Sequence, residues 1–233
     1  MRSDPLHFGA LSAVEASARM SGPVSRVAAA CLVGAALAFW LAWFLMPLPG
    51  TTDTAFILEQ VGATRERVFW SVTAQMLSSA LFVPGLLGLV AGTRLRGSSG
   101  AFAAATLVGI GATGLAADAI YHLLAFEMTA PGVTREAMLP VMDRFQSADL
   151  AFVMPQLLAL LAGVGALAWV SARAGVAPRR APLWCGLAVA AALAGAAAVR
   201  AAGLPRRVVA MTVLGLFSLA IAELGASLWR ARS

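Results

Sequence analysis

Long runs of apolar residues, separated by short polar segments, dominate the hydrophobic pattern of this chain. A helix needs about 20 predominantly apolar residues to cross the roughly 30 Å hydrocarbon layer of a membrane. The runs lack the period of two residues that is typical of a β-strand, and only helices or closed barrels can span a bilayer. Six runs are long enough to cross as helices: residues 27–46, 69–92, 101–126, 150–172, 183–199 and 208–229.

This pattern predicts an all-α fold, a polytopic transmembrane bundle of about six helices. We expect one transmembrane domain over residues 27–230, between an N-terminal segment of residues 1–26 and a tail of residues 231–233. Residues 47–68 and 127–149 form the two longer loops, which lie on the same side of the membrane. Because 26 polar or mixed residues precede the first apolar run, no cleaved signal peptide is expected.

The composition agrees with a membrane protein. Of the 233 residues, 60% are hydrophobic and 12% are charged, which is about half the charged fraction of a typical soluble domain. All 17 basic residues are arginine, and the chain contains neither lysine nor asparagine. Schiff-base chemistry on a lysine and N-linked glycosylation are therefore excluded.

The arginines are distributed unevenly between the two sides of the predicted bundle. With a cytoplasmic N-terminus, ten arginines and two acidic residues lie inside, whereas seven arginines and seven acidic residues lie outside. The positive-inside rule then predicts that both termini are cytoplasmic. The turn that contains Arg200, Arg206 and Arg207 is the exception, because it places three arginines outside. The net charge of +6 reflects this topology, and no nucleic-acid partner is expected.

The two outer loops begin with related sequences. Both contain the pattern PGxTxxA followed by a large apolar residue, beginning at Pro49 and at Pro131. The spans that follow align without gaps over residues 75–92 and 146–163, with eight of eighteen positions identical. This similarity predicts a duplicated helical hairpin, with the two copies in parallel orientation.

Each outer loop also favours a short amphipathic helix along the surface of the membrane. In the second loop, Met138, Val141, Met142 and Phe145 recur at helical spacing and predict one apolar face. Such helices rest on the headgroup boundary or form a lid over a binding cavity.

Polar residues in the third span are the most informative feature for function. Asp118 and His122 share a helix face, and Tyr121, the only tyrosine, lies beside them. Ionisable residues inside a membrane usually face the bundle interior or a water-filled cavity. At about 1.5 Å per residue, Asp118 and His122 lie about 13 and 8 Å below the outer boundary. Gln75 and Gln156 come to about 9–10 Å, so three spans carry polar side chains at one level.

The fourth span carries further residues at this level, and the first span also reaches it. Asp149, Phe152 and Gln156 are spaced for one helix face, and Trp40 and Trp43 of the first span reach a similar height. One interpretation is structural: the Asp118–His122 pair pins helix packing while the glutamines bridge neighbouring helices. The other is an outward-facing ligand-binding pocket, lined by Asp118, Tyr121, His122, Gln75, Gln156, Asp149 and the indole of Trp40.

The sequence predicts neither a metal site nor a cofactor. His122 with one aspartate supplies too few ligands for a metal, and Cys31 and Cys185 match no metal-binding spacing. A five-coordinate haem or chlorophyll on His122 is the one cofactor arrangement left open. Glu223 lies toward the other end of the bundle, where we expect a structural ion pair with Arg94, Arg96 or Arg173.

The layout and several segments resemble a broad group of small six-span membrane proteins of high-GC bacteria. The resemblance covers most of the chain and is carried by the PGxTxxA loops, the VPGLLGLVAG run from residue 83 and the YHLLAFEMT segment from residue 121. That group has no assigned activity and implies no catalytic residues. It implies a location in the bacterial inner membrane.

Three classes of function are consistent with these features. The first is a non-catalytic subunit or assembly factor, which packs on a membrane-protein partner or a second copy of itself within the bilayer, since nothing in the sequence demands chemistry. The second is binding or proton-coupled transport of a small apolar or cationic molecule in the Asp118/His122 pocket. The third is a membrane enzyme that acts on a lipid or isoprenoid, with Asp118 as acid/base, His122 as its partner and Tyr121 as a hydrogen-bond donor.

Overall fold

The computed structural model describes residues 22–47, 51–91, 93 and 95–230, with side chains from residue 24 onward. Within these residues the chain forms eight α-helices and one short π-helical segment. In chain order they are α1 (Gly22–Leu45), α2 (Thr54–Ala63), α3 (Arg65–Ala91), α4 (Ser99–Met128), α5 (Arg135–Ala148), the π segment (Asp149–Val153), α6 (Met154–Arg173), α7 (Arg180–Ala202) and α8 (Arg206–Arg230).

Six of these helices are long and apolar enough to cross a membrane. They are α1, α3, α4, α6 with the segment that precedes it, α7 and α8, and they coincide with the six predicted runs. The prediction of an all-α bundle with about six spans is therefore confirmed. The last two spans are separate helices because Gly203 ends α7 with a left-handed backbone conformation, at φ 65°.

Around the bundle the order of the spanning helices is α1, α3, α4, α6, α7, α8 and back to α1. Most of the core lies among α1, α3, α4, α6 and α8, whereas α7 packs chiefly against α8 and buries only Ala181, Ala188 and Gly195. Large side chains that are fully buried in this core include Leu32, Phe82, Leu115, Leu160 and Leu224.

Small residues bring α4 and α6 into close contact. A Cβ atom added to Gly163 would lie 2.6 Å from the backbone nitrogen of Val108, and one added to Gly114 would lie 2.5 Å from Cβ of Gln156. Close approach of backbones through small residues is a common means of packing helices in membranes, where dispersion contacts replace the hydrophobic effect. The crossing fixes the height of α6 beside the polar stretch of α4.

Serine side chains on α3 connect this helix to both of its neighbours. Ser78 Oγ donates to the carbonyl oxygen of Ala35 in α1 at 2.9 Å, and Ser79 Oγ donates to that of Ala112 in α4 at 2.6 Å. Each hydroxyl is therefore satisfied by the backbone of a neighbouring helix, as the absence of water in a bilayer requires.

The two amphipathic helices, α2 and α5, lie at one end of the bundle, which we call the cap end. They pack on α3 and α4 through an apolar cluster that includes Leu58, Val61 and Met142. The predicted apolar face of α5 is only partly correct. Met142 is buried and Met138 half-buried, but Val141 and Phe145 are exposed, because the side of α5 that faces the bundle is centred on Met142.

Glu223 forms ion pairs at the other end of the bundle, but with different arginines from those predicted. Its carboxylate accepts from Arg180 Nε at 2.7 Å and from Arg230 Nη2 at 3.3 Å. Because α7 and α8 are antiparallel neighbours, the first turn of α7 lies level with Glu223. The prediction of Arg96 or Arg173 is therefore wrong, and Arg94 lies outside the described residues.

Candidate functional site

A cavity of about 180 Å³ lies beneath α2 and α5 at the cap end. A cavity of about 150 Å³ can hold benzene, so this volume suits one small organic molecule. Its wall is built from α1 and the residues after it, α2, α4, α5, the π segment and the start of α6. The lining residues are Trp43, Met46, Pro47, Thr51, Thr52, Ile57, Gln60, Val61, Asp118, Tyr121, His122, Gln146, Asp149, Leu150, Met154 and Leu157.

Asp118 is held by a hydrogen bond from a neighbouring helix. The side-chain amide of Gln75 in α3 donates to Asp118 Oδ2, and both side chains are almost fully buried. The predicted proximity of Gln75 and Asp118 is thus observed, with Gln75 behind the carboxylate and outside the cavity lining. A buried carboxylate without such a donor would be strongly destabilising.

His122 lies one turn along α4 and completes this arrangement. Its Nδ1 atom is 2.9 Å from the backbone oxygen of Asp118 and 3.5 Å from Oδ2 of the same residue. Because a carbonyl oxygen can only accept, this geometry assigns the proton of a neutral imidazole to Nδ1. Nε2 is then an acceptor on a ring that lines the cavity.

Tyr121 connects α4 to the cap. Its hydroxyl donates to Oε1 of Gln146, at the end of α5, over 2.6 Å. Gln146 lines the cavity, although it was not among the predicted site residues. A signal for it was present in the sequence, because the predicted repeat aligns Gln146 with Gln75. Each of these glutamines binds a side chain in the polar stretch of α4.

Asp149 begins the π segment and lines the cavity. Its Oδ1 atom is buried and has no hydrogen-bond partner within the part of the chain that the structure describes. The wider π turn shifts the faces of the helix that follows. The predicted common face of Asp149, Phe152 and Gln156 is therefore wrong: Phe152 is 73% exposed, and Gln156 faces α4 outside the cavity.

Gln156 occupies the crossing of α4 and α6. Its Oε1 accepts from Thr113 Oγ1 at 3.0 Å, and its Nε2 donates to the carbonyl oxygen of Phe152 at 3.1 Å. Its Cβ lies against Gly114. Of the two glutamines predicted at the level of Asp118, only Gln75 contacts it within the described structure.

The indole beside the cavity belongs to Trp43, and Trp40 is directed elsewhere. Trp40 is 37% exposed and stacks on Phe44, with ring centroids 5.0 Å apart. Trp43 packs edge-on against His122, with ring centroids 6.4 Å apart. The buried Nε1 of Trp43 has no hydrogen-bond partner among the described residues. The buried alanines of α1 would have distinguished the two tryptophans, because Ala28, Ala35 and Ala42 mark a packing face that lies closer around the helix to Trp43 than to Trp40.

Polar contacts hold the two cap helices together over the cavity. Arg135 Nη2 of α5 donates to the carbonyl oxygen of Ala55 at 2.8 Å and lies 3.5 Å from Oε2 of Glu59. Thr54 Oγ1 of α2 donates to Asp143 Oδ1 of α5. These bonds join α2 to α5, and both helices contribute residues to the wall of the cavity.

The chemical character of the cavity is acidic and aromatic. Its described wall contains two carboxylates, an imidazole, a phenol and an indole, and neither arginine nor lysine. No group of three or more His, Cys, Asp and Glu side chains that could hold a metal ion occurs in the described ranges. Such a wall favours a ligand that donates hydrogen bonds or carries positive charge.

Comparisons of the chain with protein-family models, with curated proteins and with solved structures found no match. Its function is therefore inferred from the geometry of the site.

We predict that Gln75→Leu destabilises the protein by about 1–3 kcal/mol, because it leaves the buried Asp118 carboxylate without its amide donor. The matched control is Gln156→Leu, which loses hydrogen bonds only at the half-buried helix crossing. Thermal unfolding in detergent should give a clearly lower midpoint for Gln75→Leu than for the control. Equal midpoints would show that the contact with Asp118 contributes nothing particular to stability.

Proposed function

We propose that this multi-pass membrane protein binds a small molecule with an amino group in the capped cavity. The observation that carries the proposal is the buried Oδ1 atom of Asp149, which lines the cavity and has no partner in the described structure. A buried carboxylate oxygen without a donor is costly. An ammonium group supplies up to three donors and a compensating positive charge.

The surroundings of Asp149 support a cationic ligand. A second carboxylate, that of Asp118, lines the same cavity, and the described wall carries no basic side chain except the imidazole of His122. The rings of Trp43 and Tyr121 line the cavity as well, and aromatic faces attract cations. Nε2 of His122 offers a further acceptor.

The remainder of the wall supports a ligand with a small apolar body. Ile57 and Val61 of α2 and Leu157 of α6 contribute apolar surface to the cavity. The volume of about 180 Å³ accommodates a ring or short chain of roughly benzene size. The expected ligand therefore has an amino group at one end and a compact apolar group at the other.

Benzylamine is a suitable probe, and benzyl alcohol is its neutral counterpart. We expect benzylamine to raise the unfolding temperature of the purified protein, with a much smaller rise for benzyl alcohol, because ligands that bind only the folded state stabilise it. Asp149→Asn should abolish the rise.

The control for this experiment is Glu66→Gln, which removes an exposed carboxylate at the same end of the bundle. It should leave the rise intact. Equal rises with the amine and the alcohol, or an unchanged rise in Asp149→Asn, would contradict amine binding at this site.

A second candidate function is that of a non-catalytic subunit or assembly component. It is supported by α7, which buries only three of its described residues and packs mainly on α8. Leu183, Leu187 and Leu193 are each at least half exposed on this helix. A partner chain or a second copy would cover this face.

A cysteine at Leu187 tests this second function in membranes, on a background with Cys31→Ala and Cys185→Ala. We expect Leu187→Cys to form an oxidative cross-link, either to a second copy or to a partner of different mass. Leu77→Cys on α3, with a similar exposure of 52%, is the control and should stay monomeric. Equal absence of cross-links in both variants would contradict a role for α7 in assembly.

We further propose a bacterial inner membrane as the location, with the cap end outside and both termini in the cytoplasm. At the cap end the numbers of arginines and of acidic residues are equal. At the other end, where Arg26, Arg96, Arg173 and Arg179 lie, basic residues outnumber acidic ones. The predicted duplication fits the same arrangement, because each cap helix directly precedes a spanning helix.

Orientation is tested with a membrane-impermeant maleimide on spheroplasts, with single cysteines on the same cysteine-free background. Ala137→Cys on α5 should be labelled in intact spheroplasts, and Ser99→Cys at the start of α4 should be labelled only after permeabilisation; both sites are exposed. The reverse pattern would place the cap end in the cytoplasm.

A further inference from the structure

A second cavity, an open groove of about 580 Å³, lies on the other side of Trp43. It is bounded by α7 and α8, with Trp43 of α1 as its inner wall. The groove is lined by Trp43, Ala192, Ala196, Val199, Arg200, Arg206, Val209, Ala210, Val213 and Leu214.

Two arginines stand at the end of the groove near the cap. Arg200 lies in the last turn of α7, and Arg206 begins α8. Both side chains are exposed, and neither has a hydrogen bond or ion pair within the described residues. Arg207 differs, since its Nη2 donates to the carbonyl oxygen of Phe44 at 2.9 Å. The two unpaired guanidinium groups therefore flank an apolar groove.

The remainder of the groove is apolar and made of small side chains. Ala192, Ala196 and Val199 follow one another along α7 at helical spacing, and Val209 and Val213 do so along α8. From Ala192 to Arg200 the wall extends about 12 Å along the helix axis. One end of the groove is thus cationic, and its length is suited to a hydrocarbon chain.

We infer that this groove binds an anionic phospholipid. The phosphate contacts Arg200 and Arg206, and an acyl chain lies along the alanine and valine walls. Guanidinium groups bind phosphate oxygens in a bidentate manner, and basic pockets between membrane helices are suited to anionic headgroups. The charge of the arginines selects the headgroup, while the apolar walls select a molecule with a chain. This lipid site also accounts for Arg200 and Arg206, which lie at the end of the bundle where arginines do not outnumber acidic residues.

The lipid site does not rest on the proposed amine site. Asp149 does not line the groove, and neither Arg200 nor Arg206 lines the capped cavity. Trp43 is the residue common to both linings. Variants of the arginines therefore test the lipid site while the acidic cavity stays intact.

Native mass spectrometry of the purified full chain provides the test, with phosphatidylglycerol and phosphatidylcholine of identical acyl chains as probes. The wild type should bind phosphatidylglycerol in preference to phosphatidylcholine. The double variant Arg200→Gln/Arg206→Gln should lower the affinity for phosphatidylglycerol about tenfold and leave that for phosphatidylcholine nearly unchanged. The matched control, Arg67→Gln/Arg144→Gln, removes two exposed arginines of the cap end and should retain the preference.

A variant of the apolar wall tests the groove without a change of charge. Ala196→Phe fills the groove and should reduce binding of phosphatidylglycerol several-fold, whereas Ala197→Phe, exposed but outside the lining, should not. This pair also keeps the proposal testable if the arginine variant fails to fold.

Three results would overturn the proposal. Equal losses in the two arginine double variants would indicate general attraction by surface charge. Complete displacement of the lipid by millimolar glycerol phosphate would indicate a site for the free phosphate group. A stable dimer that excludes lipid, and that is lost in Ala196→Phe, would identify a second copy of the chain as the occupant.

Discussion

A carboxylate buried among membrane helices must receive hydrogen bonds from the protein, and this requirement organises the cap end of the bundle. Asp118 receives one from the amide of Gln75, which joins the facing sides of α3 and α4. The same residue accepts from Nδ1 of His122 through its backbone oxygen. With Nδ1 engaged, the neutral imidazole keeps Nε2 as an acceptor. The bond from Nδ1 to the backbone of Asp118 therefore determines which atom of His122 can act in the cavity.

The second carboxylate of the cavity lacks the kind of hydrogen bond that holds Asp118. Asp118 is held by the bundle, whereas the buried Oδ1 atom of Asp149 has no partner in the described structure. Asp149 begins a π segment, a local irregularity that is often found at functional sites. Tyr121 and Gln146 then attach the cap above it. The cavity thus combines a satisfied carboxylate, which supports the wall, with an unsatisfied one, which a ligand can use.

The sequence was sufficient to predict the six spans, since length and hydropathy determine what can cross a bilayer. Helical spacing also predicted the contact between Asp118 and His122. The estimated depth of Gln75 below the outer boundary predicted that it lies at the level of these two residues. Rotation of helices about their axes could not be predicted in the same way. The π segment turned Gln156 toward the α4 crossing, and the packing face of α1 selected Trp43 over Trp40. Such rotations depend on close contacts between helices, as at Gly114 and Gly163. They also depend on local irregularities such as the π segment, whose turn is wider than an α-helical turn.

Trp43 links the two proposed sites through its position between them. Its indole lines the acidic cavity and also the groove that ends at Arg200 and Arg206. Arg207 donates to the backbone of Phe44, the next residue, so the basic turn lies close to this indole. An anionic headgroup at Arg200 and Arg206 would compensate their positive charge, which otherwise opposes a cation in the neighbouring cavity. Because compensation would lower the free energy of the bound cation, occupancy of the lipid groove and of the amine cavity would be mutually favourable.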